Sequence, residues 1–189
     1  MRSSATKLHN FANDKKTFLA KLDKSKKGDI DERIIPLINL INQKPNYYTT
    51  SSCSGRVYLW EGSGKKNETN WLRTSHNLIT ELFLQPVNTS NLVWLRFEPF
   101  IMHICSTDLE TANNLLEQVR KIYKKSCLLS ISNKIIVEIR GSEFIEMPLY
   151  ENNTILLNKD SVWLKELINK KMLKMWQTTD KFQEIVKKI

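Results

Sequence analysis

The order of strand-like and helix-like segments is the feature that most limits the fold of this 189-residue chain. Seven short segments alternate apolar and polar residues as strands do: residues 46–50, 56–60, 71–75, 91–97, 100–106, 127–131 and 134–139. Helical periodicity appears before them at residues 7–22 and 29–41, between them after Thr107, and beyond them from Asp160 onward. No strand leads into a Gly-x-Gly turn followed by a helix, as a Rossmann-type fold requires. The pattern predicts an α+β fold, a mixed β-sheet with packed helices.

The predicted helix ends carry their own signals. Asp29 with Glu32, and Thr107 with Glu110, have capping-box spacing, and the last helix is expected to break near residues 178–180. No internal repeat or linker is visible. We therefore expect a single domain over residues 1–189, or two interleaved α/β subdomains.

The charge of the chain is strongly positive and uneven. The net charge is +9, and residues 1–27 hold eight basic residues against two acidic ones. This excess favours a polyanionic partner, and exposed aromatic rings could stack on its bases; a solvated lysine-rich surface is the alternative. No apolar run approaches the length of a membrane span, and no apolar segment follows the charged N-terminus, so neither a membrane partner nor a secretory signal is predicted.

The three cysteines are Cys53, Cys105 and Cys127. Their odd number and wide spacing indicate reduced thiols in the cytoplasm. His103 and Cys105 share one face of a strand, but a zinc site would need two more ligands, for which Cys53 and His76 are the candidates, and no ligand pair has the usual zinc spacing. A buried thiol and a hydrogen-bonded histidine are favoured, and no metal site is predicted.

Residues 47–56, YYTTSSCSGR, place hydroxyl groups, one thiol, one glycine and one arginine at the end of a strand. Gly55 permits a positive φ or a close backbone approach, and Arg56 offers a planar fork of charged donors. The segment is typical of a loop that binds a carboxylate or a phosphate. A serine-rich hairpin turn into the strand at residues 56–60 is the alternative.

Three segments together resemble one protein family: residues 23–32 (DKSKKGDIDE), 49–56 (TTSSCSGR) and 96–103 (RFEPFIMH). They resemble the tRNA wybutosine-synthesis methyltransferases of archaea and eukaryotes, and residues 71–76 (WLRTSH) and 146–149 (EMPL) are similar to two further segments of that family. The resemblance covers about residues 18–172. It departs at residues 122–127, where only Ser126 matches the glycine-containing segment usual in the family.

The resemblance implies S-adenosylmethionine-dependent N-methylation of a tricyclic guanosine derivative beside the anticodon of tRNA-Phe. It also implies a fold unlike the usual Rossmann-type methyltransferase. The cofactor must then be held by another segment, and we predict that Glu98 contributes together with Ser51, Ser52, Cys53, Ser54, Gly55 and Arg56. For RNA phosphates the predicted ligands are Lys24, Lys26 and Lys27.

Methylation of a ring nitrogen releases a proton, so one general base is expected. His76 is favoured because it follows a predicted strand, and Asp31 and His103 are the other predicted catalytic residues. Asp31, Glu98 or Asp23 would need a pKa raised by desolvation to act as the base, and His103 could instead be a sheet-core histidine. Cys53 as a nucleophile is not required by this chemistry.

Two other functions remain open at this point. One is a non-catalytic RNA-binding module, and the other is an enzyme that binds a small anion or a nucleotide and does not contact RNA. The sequence leaves the oligomeric state open.

Overall fold

The computed structural model describes residues 4–20 (side chains from residue 10), 30–63, 65, 68–157 and 160–189. Its helices and strands are, in chain order, α1 (Ser4–Leu19), α2 (Ile35–Gln43), β1 (Tyr47–Cys53), β2 (Arg56–Gly62), β3 (Thr69–Ser75), β4 (Val93–Glu98), β5 (Ile101–Ser106), α3 (Leu109–Val119), β6 (Cys127–Ile131), β7 (Ile135–Arg140), β8 (Ile145–Glu151), β9 (Thr154–Ile155) and α4 (Ser161–Lys188). Short 3-10 helices cover Glu32–Ile34 and Glu81–Leu84.

The strands form two sheets, with orders β1-β5-β7-β6 and β3-β2-β4-β8-β9. Every strand pair in the described part of the chain is antiparallel. The α+β class is confirmed, and these residues contain no Rossmann-type parallel sheet. The strands form two antiparallel sheets rather than one mixed sheet, and short connections such as the one between β2 and β3 permit only antiparallel neighbours.

The chain divides into two compact units whose sequences are interleaved. The first unit comprises residues 1–54, 101–141 and 179–189, and the second comprises residues 55–100 and 142–178. The boundary between residues 54 and 55 therefore falls inside residues 51–56, which we call the serine-rich segment.

The core of the first unit is built on one face of β5 and β7. Met102 and Ile104 lie in register with Ile139 and Val137, and all four are buried. Helix α3 packs against β5, β6 and β7 and buries its apolar stripe, which consists of Ala112, Leu115, Leu116 and Val119. Period-two alternation places His103 and Glu138 on the opposite face of the sheet.

The core of the second unit uses the alternate residues of β2 and β4. Val57, Leu59, Leu95 and Phe97 have no measurable exposure. The preceding and following residues, including Arg56, Tyr58, Arg96 and Glu98, therefore share the other face of this sheet. Polar and aromatic side chains are thus collected on one sheet face.

Several local predictions meet a different outcome in the structure. The cap of α3 is Asp108 rather than Thr107, because its carboxylate accepts the N–H of Thr111 at 2.7 Å. The break expected near residues 178–180 is wrong, since α4 is continuous and the Thr178 hydroxyl donates to the carbonyl of Lys174. Strands β8 and β9 were not predicted, because Pro148 argues against a strand.

Other local predictions agree with the structure or lie outside it. Asp160 caps α4 as predicted, accepting the N–H of Trp163 at 2.8 Å. Asp29 lies outside the described residues. No described helix combines the length and the apolar composition needed to cross a membrane.

Candidate active site

The serine-rich segment is more regular than predicted. Ser51 to Cys53 continue β1, Arg56 begins β2, and only Ser54 and Gly55 lie between the strands. The strand continues because β1 remains paired with β5 as far as Cys53 opposite Ile101. The alternative of a hairpin turn is wrong, because β1 and β2 belong to different sheets.

In the first unit, Asp31 holds the serine-rich segment at Ser54. The Asp31 carboxylate accepts the backbone N–H of Ser54 at 2.8 Å, and Ser54 is buried. Asp31 stands at the N-cap position of the 3-10 helix but makes no side-chain cap hydrogen bond there. Its carboxylate therefore orders the backbone of the segment rather than that helix end.

A hydrogen-bonded row in the first unit crosses three neighbouring strands. Ser51, His103 and Glu138 are in register, with Ser51 Oγ 3.1 Å from His103 Nδ1 and His103 Nε2 3.2 Å from the Glu138 carboxylate. A carboxylate only accepts, so Nε2 carries a proton; in the neutral ring Nδ1 then accepts from the Ser51 hydroxyl. The row directs the Ser51 hydroxyl proton toward His103 and leaves Ser51 Oγ as an acceptor on its other side.

In the second unit, His76 contacts the same segment at Gly55. Gly55 has φ +93°, which favours glycine, and its carbonyl lies 2.9 Å from His76 Nδ1. A carbonyl oxygen cannot donate, so Nδ1 carries a proton and the basic lone pair of the neutral ring is on Nε2. The Gly55 carbonyl therefore holds His76, the residue that follows β3, in one tautomer.

Arg56 and Glu98, both predicted to bind the cofactor, form an ion pair in the second unit. Arg56 Nε and Nη2 each lie 2.8 Å from Glu98 Oε2, and the Tyr58 hydroxyl donates to Oε1 at 2.8 Å. Burial, together with this bond to a carboxylate, raises the pKa of Tyr58 to about 12. The Arg56 guanidinium also lies 4.3 Å from the ring centroid of Trp71.

Glu138 and Tyr58 were not predicted as site residues, and Trp71 was noted only as part of the family-like segment 71–76, although each contacts a predicted site residue. Tyr58 and Arg56 are two positions apart in one strand, as are Arg96 and Glu98 in another, so shared faces were predictable. Their pairing across strands was not. Cys105 is buried, and burial raises the pKa of its thiol.

The predicted phosphate ligands Lys24, Lys26 and Lys27, together with Asp23, lie outside the described residues.

Comparison with known proteins identifies the family of the chain. The family model described as Methyltransferase TYW3 matches residues 13–188. The chain belongs to this family.

Members of the TYW3 family in archaea are similar over most of this chain. A Pyrococcus abyssi relative named tRNA(Phe) 7-((3-amino-3-carboxypropyl)-4-demethylwyosine(37)-N(4))-methyltransferase 1 is 35% identical, covering 95% of this chain and 97% of its own length. The Methanocaldococcus jannaschii relative with the same activity name is 37% identical over 84% of this chain and 86% of its own length. The solved structure of the PH1069 protein from Pyrococcus horikoshii has a TM-score of 0.84 at 31% identity, over 95% of this chain and 97% of that chain.

Individual predicted site residues carry groups suited to a polar ligand or to proton transfer. Among the described residues, the Ser52 hydroxyl and Arg56 Nη1 have no hydrogen-bond partner. A hydroxyl group and a guanidinium donor can bind ribose hydroxyls or a carboxylate. An imidazole in a fixed tautomer can accept a proton.

Proposed function

We propose that this protein is a cytoplasmic methyltransferase that uses S-adenosylmethionine to methylate N4 of the tricyclic wyosine-type guanosine in tRNA-Phe. The observation that carries the proposal is the similarity to relatives named for this reaction, at 35% and 37% identity over most of the chain. The alternative of a non-catalytic RNA-binding module has no comparable support.

The polar groups of the serine-rich segment support cofactor binding there. S-adenosylmethionine supplies an electrophilic methyl group on a sulfonium sulfur, and it also carries a carboxylate and ribose hydroxyls. We assign its recognition to Ser51–Arg56 and Glu98. Within that set, the Ser52 hydroxyl and Arg56 Nη1 are the available polar groups, while Glu98 holds the Arg56 guanidinium in a fixed orientation.

We assign the general base to His76. The attacking ring nitrogen loses its proton as the new N–C bond forms and the S–C bond breaks, and His76 Nε2 receives that proton. The hydrogen bond from Nδ1 to the Gly55 carbonyl supports this role, because it fixes the ring and places the lone pair on Nε2. Asp31 and His103 then act as positioning residues, since each bonds to a residue of the serine-rich segment.

Cofactor binding is tested by calorimetry. We expect Ser52→Ala/Arg56→Ala to lose affinity for S-adenosylmethionine, measured with and without tRNA. Arg33→Ala is the matched control, because Arg33 makes an ion pair with Asp180 on the surface. Undiminished binding by the double variant would remove the cofactor from this segment.

Catalysis is tested with hypomodified tRNA-Phe and nucleoside mass spectrometry. His76→Asn places an amide N–H where Nδ1 donates to the Gly55 carbonyl but cannot accept a proton, so kcat should fall about 100-fold or more while cofactor affinity is retained. An unchanged kcat would exclude His76 as the base. Absence of methylation by the unmodified protein, with bound tRNA and cofactor, would refute the proposed function.

A further inference from the structure

Trp71 is an exposed ring held in a fixed orientation on the edge strand β3. Its side chain is 43% exposed, and the buried ring of Tyr58 lies parallel to it at 4.8 Å between centroids and 10° between planes. The Arg56 guanidinium lies 4.3 Å from the Trp71 centroid. An exposed tryptophan would ordinarily sample several rotamers, but here two neighbours restrict it.

The groups behind Trp71 are themselves fixed by hydrogen bonds. The Tyr58 hydroxyl donates to Glu98 at 2.8 Å and accepts from Arg96 Nη1 at 3.1 Å. Glu98 in turn holds Arg56 at 2.8 Å. Because these side chains are already ordered, a ligand that stacks on Trp71 meets a preorganised surface and little side-chain entropy is lost on binding.

The same sheet face continues with further rings and guanidinium groups. Arg96 is in register with Tyr58 on one side and Glu146 on the other, and its guanidinium lies 5.3 Å from the Trp60 ring and 5.7 Å from the Phe144 ring. Phe144 is 51% exposed. Trp60 and Tyr58 are buried, so the rings that a base can reach on this face are Trp71 and Phe144. Exposed aromatic rings beside guanidinium groups are typical of surfaces on which unpaired nucleobases stack.

The exposure of these rings favours a base of a macromolecule over a small ligand. A small-molecule site buries most of its ligand in a concavity, whereas Trp71 and Phe144 are about half exposed. The ion pairs of Glu98 with Arg56 and of Glu146 with Arg96 also favour a stacked base. Because these charges are paired, the aromatic rings provide most of the binding surface on this face.

We propose that Trp71, supported by Tyr58 and Arg56, is a stacking platform for an unpaired base of the tRNA substrate. The proposal rests on the proposed function, since it requires a tRNA substrate. It adds a residue and a mode of contact that the serine-rich segment and His76 do not provide.

The test measures tRNA-Phe binding by fluorescence anisotropy and S-adenosylhomocysteine binding by calorimetry. Trp71→Leu should weaken tRNA binding about tenfold, because stacking of one base contributes roughly that much. The affinity for S-adenosylhomocysteine and the salt dependence of tRNA binding should not change, since no phosphate contact is removed. Trp163→Leu is the matched control: Trp163 lies on α4 and is 46% exposed.

A second measurement does not depend on the stability of the leucine variant. Quenching of tryptophan fluorescence by tRNA should be present in the unmodified protein and reduced in Trp71→Phe, which keeps an aromatic ring in place. Equal quenching in the two proteins would overturn the platform.

The remaining outcomes separate this proposal from the proposed function. Methylation by the unmodified protein, with equal tRNA affinity in Trp71→Leu, would overturn the platform alone. Loss of S-adenosylhomocysteine affinity instead of tRNA affinity would also overturn it and assign the ring to the cofactor's adenine. Failure of the unmodified protein to bind tRNA would overturn both proposals.

Discussion

Replacement of Gly55 by alanine should destabilise the second unit through two separable effects. Gly55 has φ +93°, a region that costs other residues about 1–2 kcal/mol. A Cβ atom there would overlap Sδ and Cε of Met175 and lie 3.1 Å from the Glu98 carbonyl oxygen. Overpacking of this kind costs about 1–3 kcal/mol. The expected loss in the free energy of unfolding is therefore about 2–5 kcal/mol, the sum of these two ranges.

A second substitution separates the steric cost from the backbone cost. Met175→Ala removes the two side-chain atoms that the new Cβ would overlap and leaves only the closer approach to the Glu98 carbonyl oxygen; by itself it should cost about 2–5 kcal/mol, as for other buried methionines. In that background Gly55→Ala should cost only the backbone contribution of about 1–2 kcal/mol. The coupling energy between the two sites is then about 1–3 kcal/mol.

The assay is urea unfolding followed by circular dichroism for the four proteins of this cycle. A destabilisation near 3 kcal/mol corresponds to a fall in Tm of about 6–12 °C for a chain of this length. The reasoning is refuted if Gly55→Ala is as stable as the unmodified protein. Equal costs in the two backgrounds would refute the steric part alone.

Three further predictions address pH, salt and the row on the first sheet. Hydrogen bonds from Lys171 and Lys174 of α4 lower the pKa of Glu143 to about 2. The stability that the Glu143 carboxylate contributes is therefore complete above its unfolded pKa near 4.5 and is lost as pH falls toward 2. Glu143→Gln should make the free energy of unfolding depend less on pH in that window, as measured by acid unfolding. Replacing Lys24, Lys26 and Lys27 by alanine should lower the slope of log Kd against log salt for tRNA by about 2, and an unchanged slope would exclude phosphate contacts there. Glu138→Gln no longer fixes the tautomer of His103, so kcat/KM should fall about tenfold while the Tm stays unchanged. Equal losses of activity and of thermal stability would instead indicate that Glu138 has a structural role.

The sequence predicted most strands and helices because their signals are local. Alternation located β3 to β7 to within a few residues, and Asp160 marked the start of α4. The division into two sheets was not predictable in this way. It depends on which strands pair, and β1 pairs with β5 across about 50 residues rather than with the adjacent β2.

For the candidate site, the sequence likewise predicted residues with local signals but not the contacts between strands. Arg56 and Glu98 were predicted together as cofactor residues, and they form an ion pair. Their cofactor role stays a prediction. Glu138 carries no local signal, because a lone acid in a strand is common, and Trp71 was noted only within the family-like segment 71–76, with no role assigned. They become informative only when cross-strand register places them beside His103 and Arg56.

The interleaving of the two units has a consequence for synthesis on the ribosome. The second unit is complete only when residues 142–178 have been translated, and the first only when residues 179–189 have followed. A nascent chain that has reached residue 140 therefore exposes apolar strands of both units before α4, which contributes residues to each unit, has been translated. Such a chain is prone to aggregation, because neither unit can fold completely at that stage. We therefore expect chaperone binding during elongation, rather than early folding, to protect the nascent chain from aggregation.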